Sequence, residues 1–337
     1  MPAPSPSYVA DRLTTYLREQ CGSDVSISDL RQFSVGFSWM TYGFTLHDGA
    51  TPQPLILRLA PAAGILPTYR AAPEAALLRS VEPLGLPTPR ALWFSDDPQW
   101  LGTPFLVCSR CPGDAPLLTR KLLQSGGGDL PVLAREFVDH LARLHSLDWE
   151  HSEFAPFARR VTREEAALQE VAYWADVVAE FAPRPEPLME WVRRWLVAHA
   201  PVAPRVGIVH GDYRLGNFLA QDGRITGLLD WELAHVGDPH DDLGWALMPD
   251  VNGSTDKLFG VMDRSEVFER YEAASGVRID PAVIAYYDVL SRYKLVAICF
   301  SGIGVFASGR TNDLRTALMG SQRARAMAHL ADVTEQL

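Results

Sequence analysis

The sequence predicts a two-lobed α+β fold, with a small β-rich N-terminal lobe followed by a larger, mainly helical one. Three observations predict it. From Leu30 to Leu59 the residues are strand-like, with Gly36 and Gly43 interrupting the runs. From Asp129 onward apolar residues recur at helical spacing. Between the two regions lies CPGDAP, residues 111–116, where Pro112, Gly113 and Pro116 mark a linker. A chain of 337 residues, 47% of them hydrophobic, is long enough to bury two cores. The expected division is an N-terminal lobe over 1–108, a hinge over 109–114 and a helical lobe over 115–337.

Each element has its own signal. Tyr8, Val9, Leu13, Tyr16 and Leu17 fall on one face of an opening helix that Gly22 stops. The segment LILRLA, beginning at Leu55, is a short buried strand. Pro73–Leu84 is a helix ending at Gly85, and ALWFSDDPQWLGTPFLVCSR folds as two strands around a D-D-P turn. Leu133, Phe137, Leu141 and Leu144 form the apolar stripe of the next helix, with Asp129 expected as N-cap and Pro131 in its first turn. Thr162 and Glu165 form a capping box for another helix. Asp222-Gly223 is a hairpin turn among these helices, and DPAVIAYYDVLSRYKLVAICF returns to helix.

Composition excludes several function classes. A formal net charge of −10 and the absence of a basic run argue against nucleic acid as partner. Cys21, Cys108, Cys111 and Cys299 are too few and scattered for a disulfide framework, and C-S-R-C has no second pair to complete a zinc site. The N-terminus has neither the basic start nor the apolar core of a secretory signal. No apolar run is expected to reach the roughly 20 residues of a membrane span, so a cytoplasmic protein without membrane partners is expected. Lysine occurs only at 121, 257 and 294, so arginine carries nearly all positive charge.

Chemistry concentrates in IVHGDYRLGNFLAQDGRITGLLDWE, residues 208–232. Asp212, Asn217 and Asp230 are hard oxygen donors of the kind magnesium takes alongside phosphates and water. A solvated surface hairpin is the other reading, but Asp230 follows Leu228-Leu229 and precedes Trp231, where an unpaired carboxylate is costly. His210, Asp212, Asn217 and the later Asp230 have the form of the kinase catalytic loop and metal-binding Asp. Such a loop requires a phosphate-covering turn, a cation on a strand and an acid on a helix upstream. Gly36 and Ser38 in SVGFSWMTYG, Arg58 on LILRLA and Glu74 in PEAALL supply these in order. No lysine precedes Lys121, so the cation is arginine, paired with Glu74. Taken alone, that turn reads equally as an ordinary hairpin and Glu74 as an acid at a helix start.

These residues, with ILRLAP, GLPTPRAL, FLVCSRCPG, LARLHSLDW, VHGDYRLGN and LLDWELAHVGDPHDDLGW, resemble the aminoglycoside phosphotransferase family, in the branch related to domains fused to acyl-CoA dehydrogenases. The resemblance spans about residues 30–300 and implies a protein-kinase-like fold. It implies a small-molecule kinase using ATP, with GTP as an alternative, and Mg²⁺. By it, Asp212 is the catalytic acid-base group and Asn217 and Asp230 hold the metal. His210 braces the loop, a place it also takes as a satisfied core histidine, and Asp242 ties the loop down unless it caps a helix. Ser109 replaces the family's hinge acid, which leaves the adenine to backbone groups near Cys108–Cys111, Arg110 included. The acceptor is a hydroxylated metabolite or antibiotic-like small molecule, which nothing in the sequence identifies as an aminoglycoside. If AYWADVVAEF or AYYDVLSRYKLVAICFSGIGVF lines the cleft rather than the core, the acceptor is apolar or an acyl thioester. Two other readings stand beside this one: an inactive kinase-like nucleotide-binding scaffold, and a metal-dependent hydrolase built on GDPHDD with His240, Asp238, Asp241 and Asp242.

Overall fold

A computed structural model describes residues 4–33, 36, 38–116, 127–252 and 256–335. Ser34, Val35 and Phe37 of the expected phosphate-covering turn, and Lys121, lie outside these. Helix α1 (Pro6–Cys21) has Ser5 as N-cap, its hydroxyl accepting from the Tyr8 amide, and stops at Gly22. Val9, Leu13, Tyr16 and Leu17 are buried, whereas Tyr8 is 45% exposed, rotated off the face that the other four share.

Strands β1 (Ser26–Phe33), β2 (Met40–His47), β3 (Gln53–Leu59), β4 (Ala91–Ser95) and β5 (Phe105–Ser109) form one antiparallel sheet in the order β1-β2-β3-β5-β4. Leu55, Leu57 and Leu59 alternate inward and, with Tyr42, Phe44, Phe105 and Val107, make a core covered by α1. The opposite face carries Ile56 and Arg58, registered against Gly43 and Thr41 of β2 and against Cys108 and Leu106 of β5. Helix α2 (Ala71–Val81) follows β3; a one-turn 3₁₀ extension ends at Gly85 with φ of 65°. Its first amides are capped at a distance, the Ala71 N–H donating to Asp96 Oδ1 at 2.6 Å. Between β4 and β5 the D-D-P turn includes a single helical turn, α3 (Pro98–Leu101), capped by Asp97.

The segment after β5 packs onto a hairpin of the helical region. Asp114 bridges to Ala220, and the Thr226 hydroxyl donates to the Pro112 carbonyl at 2.6 Å. Gly113 has no room for a Cβ, which would lie 2.5 Å from the Ala220 carbonyl oxygen. The hairpin pairs β7 (Phe218–Gln221) with β8 (Arg224–Leu228), and its turn takes positive φ at both Asp222 and Gly223, as a type I′ turn needs. A second small pair joins β6 (Gly207–Val209) to β9 (His235–Gly237).

The helices are α4 (Leu130–Leu144), α5 (Ala166–Phe181), α6 (Pro187–Ala198), α7 (His240–Leu247), α8 (Arg264–Ser275), α9 (Pro281–Ala307) and α10 (Leu314–Thr334). All four residues of the predicted α4 stripe are buried. Asp129 stands at its N-cap position, but its side chain makes no capping bond. The Thr162–Glu165 box closes reciprocally, at 2.9 and 3.3 Å. One expectation fails at α9: its 27 residues are long and apolar enough to cross a membrane. Two thirds of its apolar window is buried instead, packed with α5, α6, α7 and α10. Asp288, Arg292 and Lys294 interrupt the apolar run, and the helix is buried on most of its sides.

Candidate active site

The loop after β6 is held from behind by one carboxylate. Asp242, fully buried in the first turn of α7, accepts from the His210 amide at 2.7 Å and the Gly211 amide at 2.9 Å. It therefore ties the loop and does not cap the helix. His145 Nε2 donates to Asp242 at 3.1 Å, and the Tyr271 hydroxyl then donates to Nδ1 at 2.7 Å. Burial would raise the Asp242 pKa, but these donors hold it below the ordinary carboxylate range. Burial keeps His145 neutral by lowering its own pKa against the pull of Asp242. Gly211 has φ of 81°, and a Cβ there would overlap the Leu233 carbonyl, so only glycine fits.

His210 joins the two halves of the constellation. Its Nε2 donates to the Leu229 carbonyl at 3.0 Å, which leaves Nδ1 to accept from the Asp212 amide at 3.3 Å. Burial lowers its pKa, consistent with a neutral ring. The Leu229 amide donates to the Asn217 carbonyl at 2.8 Å, so the loop and the end of β8 are laced together just before Asp230. Asp230 has φ of 68°, a left-handed conformation that a non-glycine residue holds at a cost of about 1–3 kcal/mol.

Three donors fix the Asp212 carboxylate. Arg214 Nε at 2.8 Å and Trp245 Nε1 at 2.7 Å share Oδ1, and Asn217 Nδ2 takes Oδ2 at 2.6 Å. With its amide nitrogen committed, Asn217 keeps its carbonyl oxygen for a cation. Asp230, with a third of its side chain exposed, has Oδ1 against Arg58 Nη2 at 3.1 Å. This pair of hard oxygens suits magnesium.

Arg58 spreads across three acids: Nη1 pairs with Glu74, and Nη2 reaches Asp230 at 3.1 Å and Glu232 at 3.5 Å. Its guanidinium lies over Trp39, 5.3 Å from the ring centroid. Burial opposes the Arg58 charge, but the carboxylates overturn this and raise its pKa. Glu74 is itself raised by burial despite Arg58, and Glu232 is raised well above its ordinary value by burial and by Asp230. Ser38 donates to the Tyr69 hydroxyl at 2.9 Å, and Gly36 has φ of 88° with open space around it. On the Arg58 face of the sheet, a cavity of about 400 Å³ is lined by Arg31, Gly43, Thr45, Pro54 and Arg110. Cys108 lies on that face too, with burial pushing its thiol up to about 12.

Sequence reasoning missed several participants. Glu232 stands in the quoted stretch, and its place two residues past Asp230 was a signal available there. Arg214 stands in the same stretch two residues past Asp212, while Trp245 and Lys294 had no such signal. Lys294, 1% exposed, donates to the Gly211 carbonyl with its ammonium 4.6 Å from the Trp245 ring centroid. GDPHDD does not converge on one ion: His240 Nδ1 and Asp238 pair at 2.7 Å, Asp242 faces the loop and Asp241 turns elsewhere. Tyr286, Tyr287, Tyr293 and Phe300 of α9 are core.

Comparison with known proteins identifies the fold and the family. Acyl-CoA dehydrogenase family member 10 of Mus musculus is 27% identical over 95% of this chain, which covers 30% of that protein. The chain spans about a third of the length of the curated relatives it matches. Among solved structures, a Ralstonia eutropha protein classed as an aminoglycoside phosphotransferase superposes with a TM-score of 0.74 at 18% identity, covering 97% of this chain and 98% of its own. An aminoglycoside phosphotransferase in ternary complex with ADP and hygromycin B gives 0.56 at 16% identity, covering 96% and 98%. The fold is thus the kinase-like one. The profile of the phosphotransferase enzyme family matches residues 29–287, and the chain belongs to that family.

Proposed function

We propose that the chain transfers the γ-phosphoryl group of ATP to a hydroxyl of a small molecule, with magnesium held by Asn217 and Asp230. The observation that carries this reading is the Asp212 carboxylate, aimed by three donors and braced through His210 and Asp242. Phosphoryl transfer asks the protein mainly for position and charge neutralisation. The acceptor oxygen attacks the γ-phosphorus, the bond to the departing ADP oxygen breaks, and the hydroxyl proton passes to Asp212. Arg58, released from Asp230 and Glu232 but kept by Glu74, turns its fork to the phosphates. Bound magnesium neutralises phosphate oxygens. The cavity lined by Arg31, Thr45 and Arg110 takes the base and ribose, and segment 109–114 is the hinge about which the lobes close.

For the acceptor, the reading is a molecule with an apolar arm. A cavity of about 170 Å³ beside Glu232 is lined by Trp39, Leu66, Tyr69, Phe154 and Trp231, and the sequence relatives bear acyl-CoA dehydrogenase names. A hydroxyacyl thioester meets both. An inactive scaffold is disfavoured by the full set of base and metal-binding side chains. The test is a mass-spectrometric screen of hydroxylated metabolites, acyl thioesters among them, with magnesium and ATP or GTP. A +80 Da product is expected, and Asp212→Asn should lose at least about 10²-fold in turnover while keeping nucleotide binding. Near-full activity of that variant removes Asp212 from its role.

A further inference from the structure

Behind the catalytic loop, three side chains from separate elements converge without serving it. Glu170 on α5, His235 opening β9 and Asp241 on α7 place one donor atom each within 4.8 Å of one another. His235 Nε2 is 3.3 Å from Glu170 Oε1 and 3.6 Å from Asp241 Oδ2.

The hydrogen bonds around the cluster fix which atoms are free. His235 Nδ1 stands 3.0 Å from the Leu233 carbonyl, which only accepts, so Nδ1 carries the proton. In the neutral ring Nε2 then presents a bare lone pair to two carboxylates. Asp241 is 2% exposed, and neither of its oxygens has a hydrogen-bond partner. Trp174 Nε1 takes Glu170 Oε2 at 3.1 Å and leaves Oε1 facing the cluster. Lys294 donates to the Gly211 carbonyl between the faces of Trp245 and Trp174, and from there its charge favours ionised Asp241 without a hydrogen bond to it. Around a neutral ring, three lone-pair donors in a buried place repel one another unless a cation or a shared proton lies between them.

We propose that Glu170, His235 and Asp241 form a site for a divalent transition-metal ion of the zinc class, with a fourth position open. Bonds of about 2.0–2.2 Å in tetrahedral array set donor atoms roughly 3.3–3.6 Å apart. The two spacings from His235 match this, and the two carboxylates already stand within 4.8 Å of each other. An imidazole nitrogen selects zinc-class ions over magnesium, and a ligating histidine that donates its other N–H to a backbone carbonyl is the usual outer arrangement. Gly237 makes room for it, since a Cβ there would lie 2.9 Å from His235 Nε2. Glu170 and His235 retain 10% and 16% side-chain exposure, which leaves a way in.

This site is independent of the phosphotransfer reading, because metal uptake is measured without nucleotide. The full chain, stripped with chelator, is titrated with Zn²⁺ against a chromophoric competitor, and with Co²⁺ by visible absorption. One equivalent with a tetrahedral cobalt spectrum is expected. His235→Gln and Glu170→Gln should each weaken binding by more than about 100-fold, beyond the 10–100-fold that an outer partner is worth. Gly237→Ala should weaken it at least about tenfold by displacing the ring, and Asp230→Ala should leave it unchanged. Parallel thermal melts show that each variant is folded. The proposal is overturned if the folded wild-type chain takes up no zinc, and nuclear magnetic resonance showing His235 doubly protonated at neutral pH would then name a proton as the cation of the cluster. It is equally overturned if His235→Gln binds zinc like the wild type.

Discussion

Arg58 shows how one residue organises the acids around it. It is the cation expected on β3, and it meets Glu74 while also reaching Asp230 and Glu232. Arg58→Ala leaves Glu74 buried beside two further acids, and removing one member of a buried pair costs about 3–5 kcal/mol. The stability loss should fall at the lower end, because burial already raises the Glu74 pKa and protonation relieves the stranded charge. Glu74→Ala on top of Arg58→Ala should add little; a coupling of about 0.5–3 kcal/mol is expected from a double-mutant cycle in urea. Additive losses would show that the pair does not act as a unit. Arg58→Lys should recover part of the nucleotide affinity, the charge returning without the fork.

At the scale of elements, the loop between β6 and the hairpin depends on a backbone conformation. Gly211 is left-handed and closely faced by Leu233, while its amide donates to Asp242 and its carbonyl accepts from Lys294. Gly211→Ala should lower stability by about 1–3 kcal/mol for the backbone conformation alone, with the clash added. Because the loop carries Asp212, turnover should fall with stability, whereas Gly36→Ala, strained at φ of 88° but meeting no neighbour, should lower nucleotide affinity and lower the melting temperature less than Gly211→Ala does. A Gly211→Ala chain that melts like wild type would show that the loop yields easily. The α4 stripe, the capping box and the I′ turn are local and were legible from spacing and residue type. Capping of α2 by Asp96 was not, because the cap comes from a residue more than twenty positions away.

For the whole molecule, the buried histidines set a pH dependence. His145 and His210 have folded-state pKa values lowered by burial, below the roughly 6.5 of the unfolded chain. Between those values the unfolded state binds more protons, so stability rises with pH. Their contribution is complete above about pH 6.5 and is lost progressively as pH falls toward the folded values. Asp242, lowered rather than raised, adds stability that is lost only as pH falls from about 3.9 through its folded value. Glu232 acts oppositely, since its raised pKa means that stability declines as pH rises from about 4.3. A difference measurement isolates the histidine: His145→Gln should melt lower than wild type at pH 7.5 and show a shallower decline to pH 5.5. Parallel curves would assign the acid sensitivity elsewhere.

By itself the sequence determined the β-rich and helical halves of the fold, the hairpin after residues 208–217 and the pairing of Arg58 with Glu74. Those follow from hydrophobic period, turn chemistry and motif spacing, all of which act over a few residues. Tertiary structure alone decided that Asp242 is a loop anchor and not a cap, that α9 is core despite a membrane-like length, and that Glu232 joins the Arg58 network. It also set Trp245 against Asp212 and drew Glu170, His235 and Asp241 together from positions 71 residues apart. Such contacts depend on which faces of distant helices meet, and no local pattern along the chain encodes that meeting.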